Sequence, residues 1–454
     1  PHIFFHSLLN DTSRAFDVSR LGQSGVDGFN AWMVTTGEFD QLIQTIYDAG
    51  YVYVRLRDLV VETTDTDGTV HFAPNTDLRL PEGKKAMVLS VDDLSYYHSY
   101  AAAGFPEKLV LDQDGKVKCL YVDADGNESI GDYDVVPRLE TFLAAHPDGC
   151  YKGARGLLAM TGYNGVFGYR TDMDYLRQEH LMDDQRAWLN RHPDFDFDSE
   201  VAEAKKIADA LKAEGWEFAS HTWGHINPEW VGLEGLERDT ERWKMNVAPI
   251  VGETDVFIFA FGADIGGYTP YTHDNALFSF LKNQGFSIFC GVDASVPYWV
   301  QTGSDFFRQA RRNLDGYRMY YNPELVSDLF DAGKVLDKAR PLPVPEQQPY
   351  HRGGGDVAQQ EAEGGLEHIA QSAAADEDGH AQQAQGHVYP LGQGAVFRAQ
   401  QRPRQEHEQH LQREGRPGCG HPQEGPHRRQ GREQSGQHQL PRRDVFSLHT
   451  HHRL

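Results

Sequence analysis

Apolar residues follow two alternating patterns up to about residue 345. Short runs such as KKAMVLSVDD, GLLAM, EFASH and SIFCGV are typical of buried strands. Between them, segments such as TTGEFDQLIQTIYDAGY and DSEVAEAKKIADALKAEGW place apolar residues at helical spacing. Strands that alternate with helices of this length form parallel βα units. The pattern therefore predicts an α/β fold, a (β/α) barrel that is distorted or incomplete.

Two segments depart from this pattern. Residues from about 95 to 153 form an insertion in which Asp-Gly steps at Asp114 and Asp125 are flanked by alternating apolar residues. This arrangement predicts β-hairpins, because a calcium-binding loop would need further acidic ligands and a final glutamate. From 346 to 454 the chain is dominated by Gln, His, Arg, Gly, Glu and Ala. We assign 1–345 to the barrel domain and predict a disordered tail at 346–454, since such a composition buries too little apolar surface to fold.

Composition narrows the possible partners. The formal net charge of −24 argues against nucleic acid, since nucleic-acid binding needs clustered Lys and Arg. No apolar run approaches the roughly 20 residues of a membrane-spanning helix, so we expect no transmembrane segment. The 4 cysteines are widely spaced and form no CxxC pair. Neutral, cationic or sugar-like substrates fit this composition best.

The strongest chemical signal is a pair of histidines in ASHTWGHIN. His221 and His225 lie at a predicted strand end and in the following loop, because a glycine separates them and Asn-Pro comes next. The strand AMVLSVDD brings Asp92 and Asp93 to the same, carboxyl-terminal face of the barrel, where active sites form. Two imidazoles and one carboxylate leave an open position, as in catalytic zinc sites. The other carboxylate then stays free as a base.

These two motifs together resemble those of the NodB-homology polysaccharide deacetylases, which are metal-dependent carbohydrate esterases and de-N-acetylases. SVDDL stands where that family has Thr-Phe-Asp-Asp-Gly, and HTWGH where it has His-Ser/Thr-x-x-His. The resemblance extends to about residue 320. It implies that Asp92 is the general base and that Asp93, His221 and His225 hold one divalent metal ion, with zinc as the first expectation and Co, Ni, Mn or Fe as alternatives. It further implies hydrolysis of an N- or O-acetylated carbohydrate polymer with release of acetate, at a cell wall or capsule outside the cytoplasm.

The chain departs from the family pattern in the later motifs. Ile258 in FIFAFG stands where the third motif has the arginine that tethers the base. Asp293 and Trp299 correspond to the fourth motif. The histidine of the fifth motif, the family's general acid, has no counterpart, and RRNLDGYRM occupies its place. His6 or His273 could replace it, although a position at a helix N-terminus makes His273 the poorer acid. The further candidates for substrate or oxyanion binding are His6, Phe261, Gly262, Asp264, His273, Asp293 and Trp299.

Two other functions compete with deacetylation. A non-catalytic carbohydrate-binding barrel that keeps its metal would explain the missing arginine and histidine, but it gives Asp92 no role. A glycoside hydrolase using Asp92 with a second carboxylate such as Asp264 needs no metal, and it leaves His221 and His225 unexplained. Acetate release and metal content distinguish the three functions.

Overall fold

The protein is built around a barrel of parallel strands. Its structure is a computed structural model that describes residues 1–346, the side chain of Ala102 excepted. Within these residues the strands are β1 His2–Phe5, β2 Tyr51–Tyr53, β3 Val60–Thr64, β4 Val70–Pro74, β5 Lys85–Asp92, β6 Lys108–Leu111, β7 Val117–Val122, β8 Glu128–Gly131, β9 Leu157–Met160, β10 Glu217–Ser220, β11 Val256–Ile258, β12 Ile288–Val292, β13 Val300–Thr302 and β14 Phe307–Asn313.

Helices connect the strands and surround the barrel. They are α1 Thr12–Ala15, α2 Val18–Trp32, α3 Thr36–Asp48, α4 Val135–Ala145, α5 Met173–Arg177, α6 Asp183–Arg191, α7 Phe197–Glu214, α8 Pro228–Asn246, α9 Ala248–Val251, α10 Ala276–Asn283, α11 Gly316–Tyr321 and α12 Ala332–Val335. Short 3-10 turns lie at Leu56–Leu59, His98–Ala103, Pro147–Gly149, Ala260–Gly262 and Pro323–Val326. The predicted helix α3 begins with a capping box, in which Thr35 and Glu38 satisfy each other's backbone N–H groups.

Seven parallel strands close into a ring. They pair in the order β1-β14-β12-β11-β10-β9-β5, and β5 pairs with β1 to complete the barrel. Strand β2 extends the sheet beyond β5, and β13 pairs antiparallel with β14. The predicted (β/α) barrel is therefore confirmed. Because all barrel strands run the same way, their carboxyl ends lie on one face, and the loops that follow them meet there.

Side chains alternate between the barrel interior and the surrounding helices. On β5, Met87, Leu89 and Val91 pack in the outer core beneath the helices, whereas Val88 belongs to the inner core of the barrel. Above this inner apolar core the interior becomes polar. His2 contacts Gln309 at 3.1 Å and Ser90 at 3.0 Å, and burial lowers the pKa of His2 well below its usual range. This polar layer lies directly beneath the strand ends that carry Asp92.

The insertion between β5 and β9 contains the predicted hairpins. Strands β6, β7 and β8 form an antiparallel sheet, in which Gly115 and Gly126 take positive φ values at the two Asp-Gly turns. A second hairpin, β3–β4, was not predicted.

The last described segment is fixed to α3 by a buried ion pair. The guanidinium group of Arg340 lies 2.6 Å from the carboxylate of Glu38, and both side chains are fully buried. Arg340 also donates a hydrogen bond to the backbone carbonyl of Asn30 at 2.7 Å. Apart from Glu346, the predicted tail lies outside the described residues, so its disorder stays a prediction.

Candidate metal centre

Three barrel strands end in residues with unusual backbone geometry. Asp93 directly follows β5 with φ 60°, Thr222 and His225 follow β10 with φ 64° and 51°, and Phe261 follows β11 with φ 58°. Left-handed φ values are uncommon for residues other than glycine and concentrate at functional sites. The loops at this face of the barrel thus turn sharply enough to aim their side chains back over the barrel axis.

Asp93, His221 and His225 converge at this face. The Nε2 atom of His225 lies 3.6 Å from Oδ2 of Asp93, and Nε2 of His221 lies 4.0 Å from Oδ1 of Asp93. One ligand atom from each of the three residues falls within 4.8 Å of the other two, and all three side chains are buried. This group could hold a metal ion.

Hydrogen bonds outside the group determine which atoms face its centre. The Nδ1 atom of His221 donates to the carbonyl of Ile258 at 2.8 Å, which leaves Nε2 with its lone pair free. The hydroxyl group of Tyr97 donates to Oδ1 of Asp93 at 2.9 Å, which leaves Oδ2 free for a ligand. Nδ1 of His225 is buried and has no hydrogen-bond partner among residues 1–346. The nitrogen of His225 that lies beside Asp93 is Nε2, and this atom, Nε2 of His221 and Oδ2 of Asp93 form a donor set that suits a divalent transition metal.

Burial favours the neutral form of both histidines. It lowers the pKa of His225 to about 3, and it also lowers the pKa of His221. Burial raises the pKa of Asp93, while the neighbouring imidazoles of His221 and His6 oppose that shift. A cation between these groups would remove the conflict, because it stabilises the carboxylate and binds neutral imidazole.

Asp92 has a different partner. The Nη1 atom of Arg311, on β14, donates to both carboxylate oxygens of Asp92, at 2.7 and 2.9 Å, and to Ser90 at 3.1 Å. Burial opposes the charged form of Asp92, but Arg311 and His221 outweigh it and hold the pKa of the carboxyl well below its usual range. Asp92 is therefore a charged carboxylate, 3.7 Å from Nε2 of His221.

Several hydrogen bonds fix the conformation of the loop that carries both histidines. The two carboxylate oxygens of Asp239, on α8, accept the backbone N–H groups of Trp223 and Gly224, each at 2.7 Å. The Trp223 indole N–H donates to Asp172 at 2.6 Å. Thr222 accepts the backbone N–H of Ile226 at 2.9 Å and so braces the loop. These contacts fix the loop in the conformation that places both imidazoles beside Asp93.

A cavity of about 250 Å³ opens onto this group. Asp92, Asp93, His221, His225 and Arg311 form one part of its wall. Helices α2 and α11 contribute another part, which is largely apolar and aromatic. The remaining lining residues are Phe4, His6, Gly28, Phe29, Trp32, Met33, Tyr100, Phe259, Phe261, Gly262, Val292, Asn313, Asp315, Tyr317 and Arg318.

Three of the further candidates, His6, Phe261 and Gly262, lie in the cavity wall. His6 Nε2 lies 3.9 Å from Oδ2 of Asp93, and its side chain is 19% exposed. The ring of Phe261 packs against the ring of His225 with 4.4 Å between centroids. Gly262 takes a positive φ, and a Cβ atom at this position would approach Val292 to 2.6 Å. Glycine is therefore required at this wall position.

The other four candidates do not line the cavity. Asp264 pairs with Arg308 at 2.7 Å, and Asp293 accepts the indole N–H of Trp299 at 2.8 Å. The side chain of His273 is 67% exposed and contacts Asp305. The prediction that His273 opens a helix is wrong, because α10 begins at Ala276 behind an Asn275 cap.

Sequence reasoning missed two side chains at the centre, Arg311 and Tyr97. No arginine stands at position 258, and the arginine that binds Asp92 comes instead from RRN on β14. In the sequence, this segment was noted for its position but was not recognised as a strand. A buried strand with three arginines is itself a signal, since arginine is rarely buried unless it is paired. Tyr97 follows the Asp pair closely in the chain, but nothing in the sequence shows that its hydroxyl group turns back to Asp93.

No protein-family model, curated protein or solved structure matches the chain. Among the helices of residues 1–346, none has the length and apolar character needed to cross a membrane.

Proposed function

We propose that this protein is a metal-dependent hydrolase that removes acetyl groups from an N- or O-acetylated carbohydrate, and that it is a member of the NodB-homology deacetylases. One observation carries this proposal. Asp92, a charged carboxylate held by Arg311, lies in the same cavity as the group Asp93, His221 and His225, but it is not needed as a ligand. A site that only bound metal would not need a second buried carboxylate beside it.

Asp93, His221 and His225 would hold one divalent cation. Two imidazole nitrogens and one carboxylate oxygen favour zinc, and Co, Ni, Mn or Fe suit the same donors. When bound, such a cation supplies Lewis-acid chemistry for the acyl carbonyl and for water.

Asp92 is the proton acceptor in this proposal. The ion pair with Arg311 keeps its carboxylate deprotonated at neutral pH, which a proton acceptor requires, and fixes its position beside the metal group. The same ion pair reduces its basicity, and a cation held by Asp93, His221 and His225 would supply the Lewis acidity that makes water easier to deprotonate.

His6 is the best placed proton donor for the leaving amine or alcohol. Its imidazole lies in the cavity wall, 3.9 Å from Asp93, on the loop after β1. His273, the other candidate, lies outside the cavity. Imidazole is a common general acid, and from this position it could deliver a proton to a group bound at the centre.

The glycoside hydrolase alternative needs two carboxylates that flank one bond. Asp264 pairs with Arg308 and lies outside the cavity, so it cannot be the second carboxylate for Asp92.

Acetate release by metal-reconstituted protein tests the proposal. We expect acetate from N-acetylglucosamine oligomers or from an O-acetylated glycan, and Asp92→Asn should lower turnover by on the order of 10²- to 10⁴-fold while metal stays bound. Asp77→Asn is the matched control, because the side chain of Asp77 is 93% exposed. Metal and glycan binding without acetate release from the wild type would instead support a non-catalytic carbohydrate-binding protein.

A further inference from the structure

Arg318 is a second arginine in the cavity wall. It lies on α11, directly after the barrel strand β14 that carries Arg311, and its side chain is half-buried. Unlike Arg311, it contacts neither Asp92 nor any member of the metal group. Neither the proposed metal chemistry nor the proton transfers give it a role.

The guanidinium group of Arg318 donates only to neutral side chains, while its backbone N–H donates to a carboxylate oxygen of Asp315 at 2.7 Å. Nε and Nη2 donate to the amide oxygen of Asn313, at 3.2 and 3.0 Å, and Nη1 donates to that of Asn322 at 3.2 Å. Within residues 1–346, no carboxylate oxygen lies within 4.0 Å of its guanidinium nitrogens. A guanidinium group has more N–H donors than these three contacts use. Arg318 thus keeps N–H donors at the cavity that these contacts do not use, although its charge also acts on the carboxylates of Asp293 and Asp315.

The three arginines of β14 provide the contrast. Arg308, Arg311 and Arg312 each lie 2.7 Å from an aspartate carboxylate, those of Asp264, Asp92 and Asp328 respectively. This part of the fold therefore supplies a carboxylate to each of its buried arginines. The guanidinium group of Arg318 has amide partners instead, so a carboxylate of a bound ligand can still form hydrogen bonds with it.

Asn313 fixes where Arg318 acts. Asn313 and Arg311 are two residues apart on β14, so their side chains point to the same side of the sheet, roughly 7 Å apart along the strand. The Asn313 amide nitrogen donates to Asp315 at 2.7 Å, which turns its oxygen toward Arg318. The guanidinium of Arg318 is thereby held beside Asn313, the residue that follows Arg311 on the same side of β14.

We propose that Arg318 determines substrate specificity by binding a carboxylate on the acetylated sugar; this inference rests on the proposed function. The fork of a guanidinium matches the two oxygens of a carboxylate. The small cavity of about 250 Å³ brings the charged end of one sugar unit and its acetyl group within reach of the same wall. With a divalent cation bound beside it, the cavity would favour an anion even though the whole chain carries a net charge of −24.

The test compares three substrates that differ in one group. They are an N-acetylhexosamine, the corresponding N-acetylhexosaminuronic acid, in which a carboxylate replaces the hydroxymethyl group, and the uncharged methyl ester of that acid. For the wild type we expect kcat/KM for acetate release to be at least about 10-fold higher for the acid than for the ester, a modest charge-assisted hydrogen-bond effect. The preference should decrease as ionic strength rises.

Two substitutions then separate charge from packing. In Arg318→Gln the ratio of acid to ester should fall by about 10- to 100-fold, whereas Arg318→Lys should keep part of the preference because it keeps the charge. Arg79→Gln, at a side chain that is 74% exposed, is the matched control and should leave the ratio unchanged. An equal loss of activity on acid and ester in Arg318→Gln, or no preference in the wild type, would overturn the inference.

A binding measurement keeps this inference distinct from the proposed function. Calorimetric titration with the uronic acid and with its ester needs no turnover. If the wild type binds the acid more tightly and Arg318→Gln abolishes the difference, Arg318 recognises the carboxylate whether or not acetate is released. If acetate is released but neither binding nor turnover distinguishes acid from ester, the proposed function stands and the role of Arg318 is wrong.

Discussion

Replacing Arg311 by methionine tests the central ion pair of the site. Methionine has a similar length and can still pack against the ring of Phe4, which the Arg311 guanidinium covers at 4.2 Å. The substitution removes both hydrogen bonds to Asp92 while leaving that carboxylate buried. The side chains of Arg311 and Asp92 are 1% and 3% exposed, so water cannot replace the lost partner.

The expected cost follows from this burial. Removing one member of a buried pair leaves an uncompensated charge and typically costs about 3–5 kcal/mol. A domain has a total stability of only about 5–15 kcal/mol, so the loss is large but need not unfold the chain. Arg311 lowers the pKa of Asp92, so in the wild type the ion pair stabilises the fold at every pH above about 3.9, the pKa of the carboxyl in the unfolded chain. This stabilisation is lost only as the pH falls through the lower pKa that the carboxyl has in the folded state. Without Arg311, burial raises that pKa, and stability should instead decrease as the pH rises.

Urea unfolding in the presence of a chelator measures this effect without a contribution from metal. We expect Arg311→Met to lower the free energy of unfolding by more at pH 8 than at pH 5. A second substitution, Asp92→Asn, should restore much of the lost stability. Arg79→Met serves as the control. A loss of less than about 1 kcal/mol in the free energy of unfolding would refute the reasoning. So would an effect of Asp92→Asn on that free energy that is the same with and without Arg311, because contacting residues should couple by more than about 0.5 kcal/mol.

Three further predictions concern the metal group and its surroundings. Elemental analysis should find one divalent ion per chain in the wild type and much less in His221→Ala; equal metal content in both would mean that the ion binds elsewhere. Both carboxylate oxygens of Asp239 accept backbone N–H groups of the histidine loop, although burial raises the pKa of Asp239 to about 7. Asp239→Asn leaves only one acceptor oxygen, so it should weaken metal affinity by about 10- to 100-fold in equilibrium dialysis. An unchanged affinity would show that the loop keeps its conformation without Asp239. His6→Gln should lower turnover, while His273→Gln should leave it unchanged; the reverse result would reassign the proton donor.

The apolar pattern was sufficient to predict the elements that form the barrel wall. The strand β5 and the helix α3 have regular apolar spacing. The ends of α3 are also marked in the sequence, because Thr35 caps its start and Gly50 follows its end. Strand β14 was missed, although it closes the ring. Its sequence, FRQARRN, has the composition of an exposed segment, and only the aspartates supplied by distant parts of the chain allow its arginines to be buried.

The candidate site, too, could be predicted from the sequence only in part. Asp93, His221 and His225 could be predicted because each follows an apolar strand, and strand ends meet on one face of a barrel. The partners Arg311 and Tyr97 could not, since their roles depend on which side chains the closed barrel brings together. His273 was predicted to begin a helix, but the chain extends past it before Asn275 supplies the cap.

The ion pair between Arg340 and Glu38 has a practical consequence for anyone who shortens this chain. A version that stops at Glu346 keeps both members of the pair and the hydrogen bond to Asn30. A version that stops before Arg340 leaves the carboxylate of Glu38 buried at the start of α3 without its cation. That helix packs against β2 and, through Phe39, against Phe5 of β1. A cut only a few residues too early should therefore lower the yield of folded protein, even though it removes nothing from the cavity.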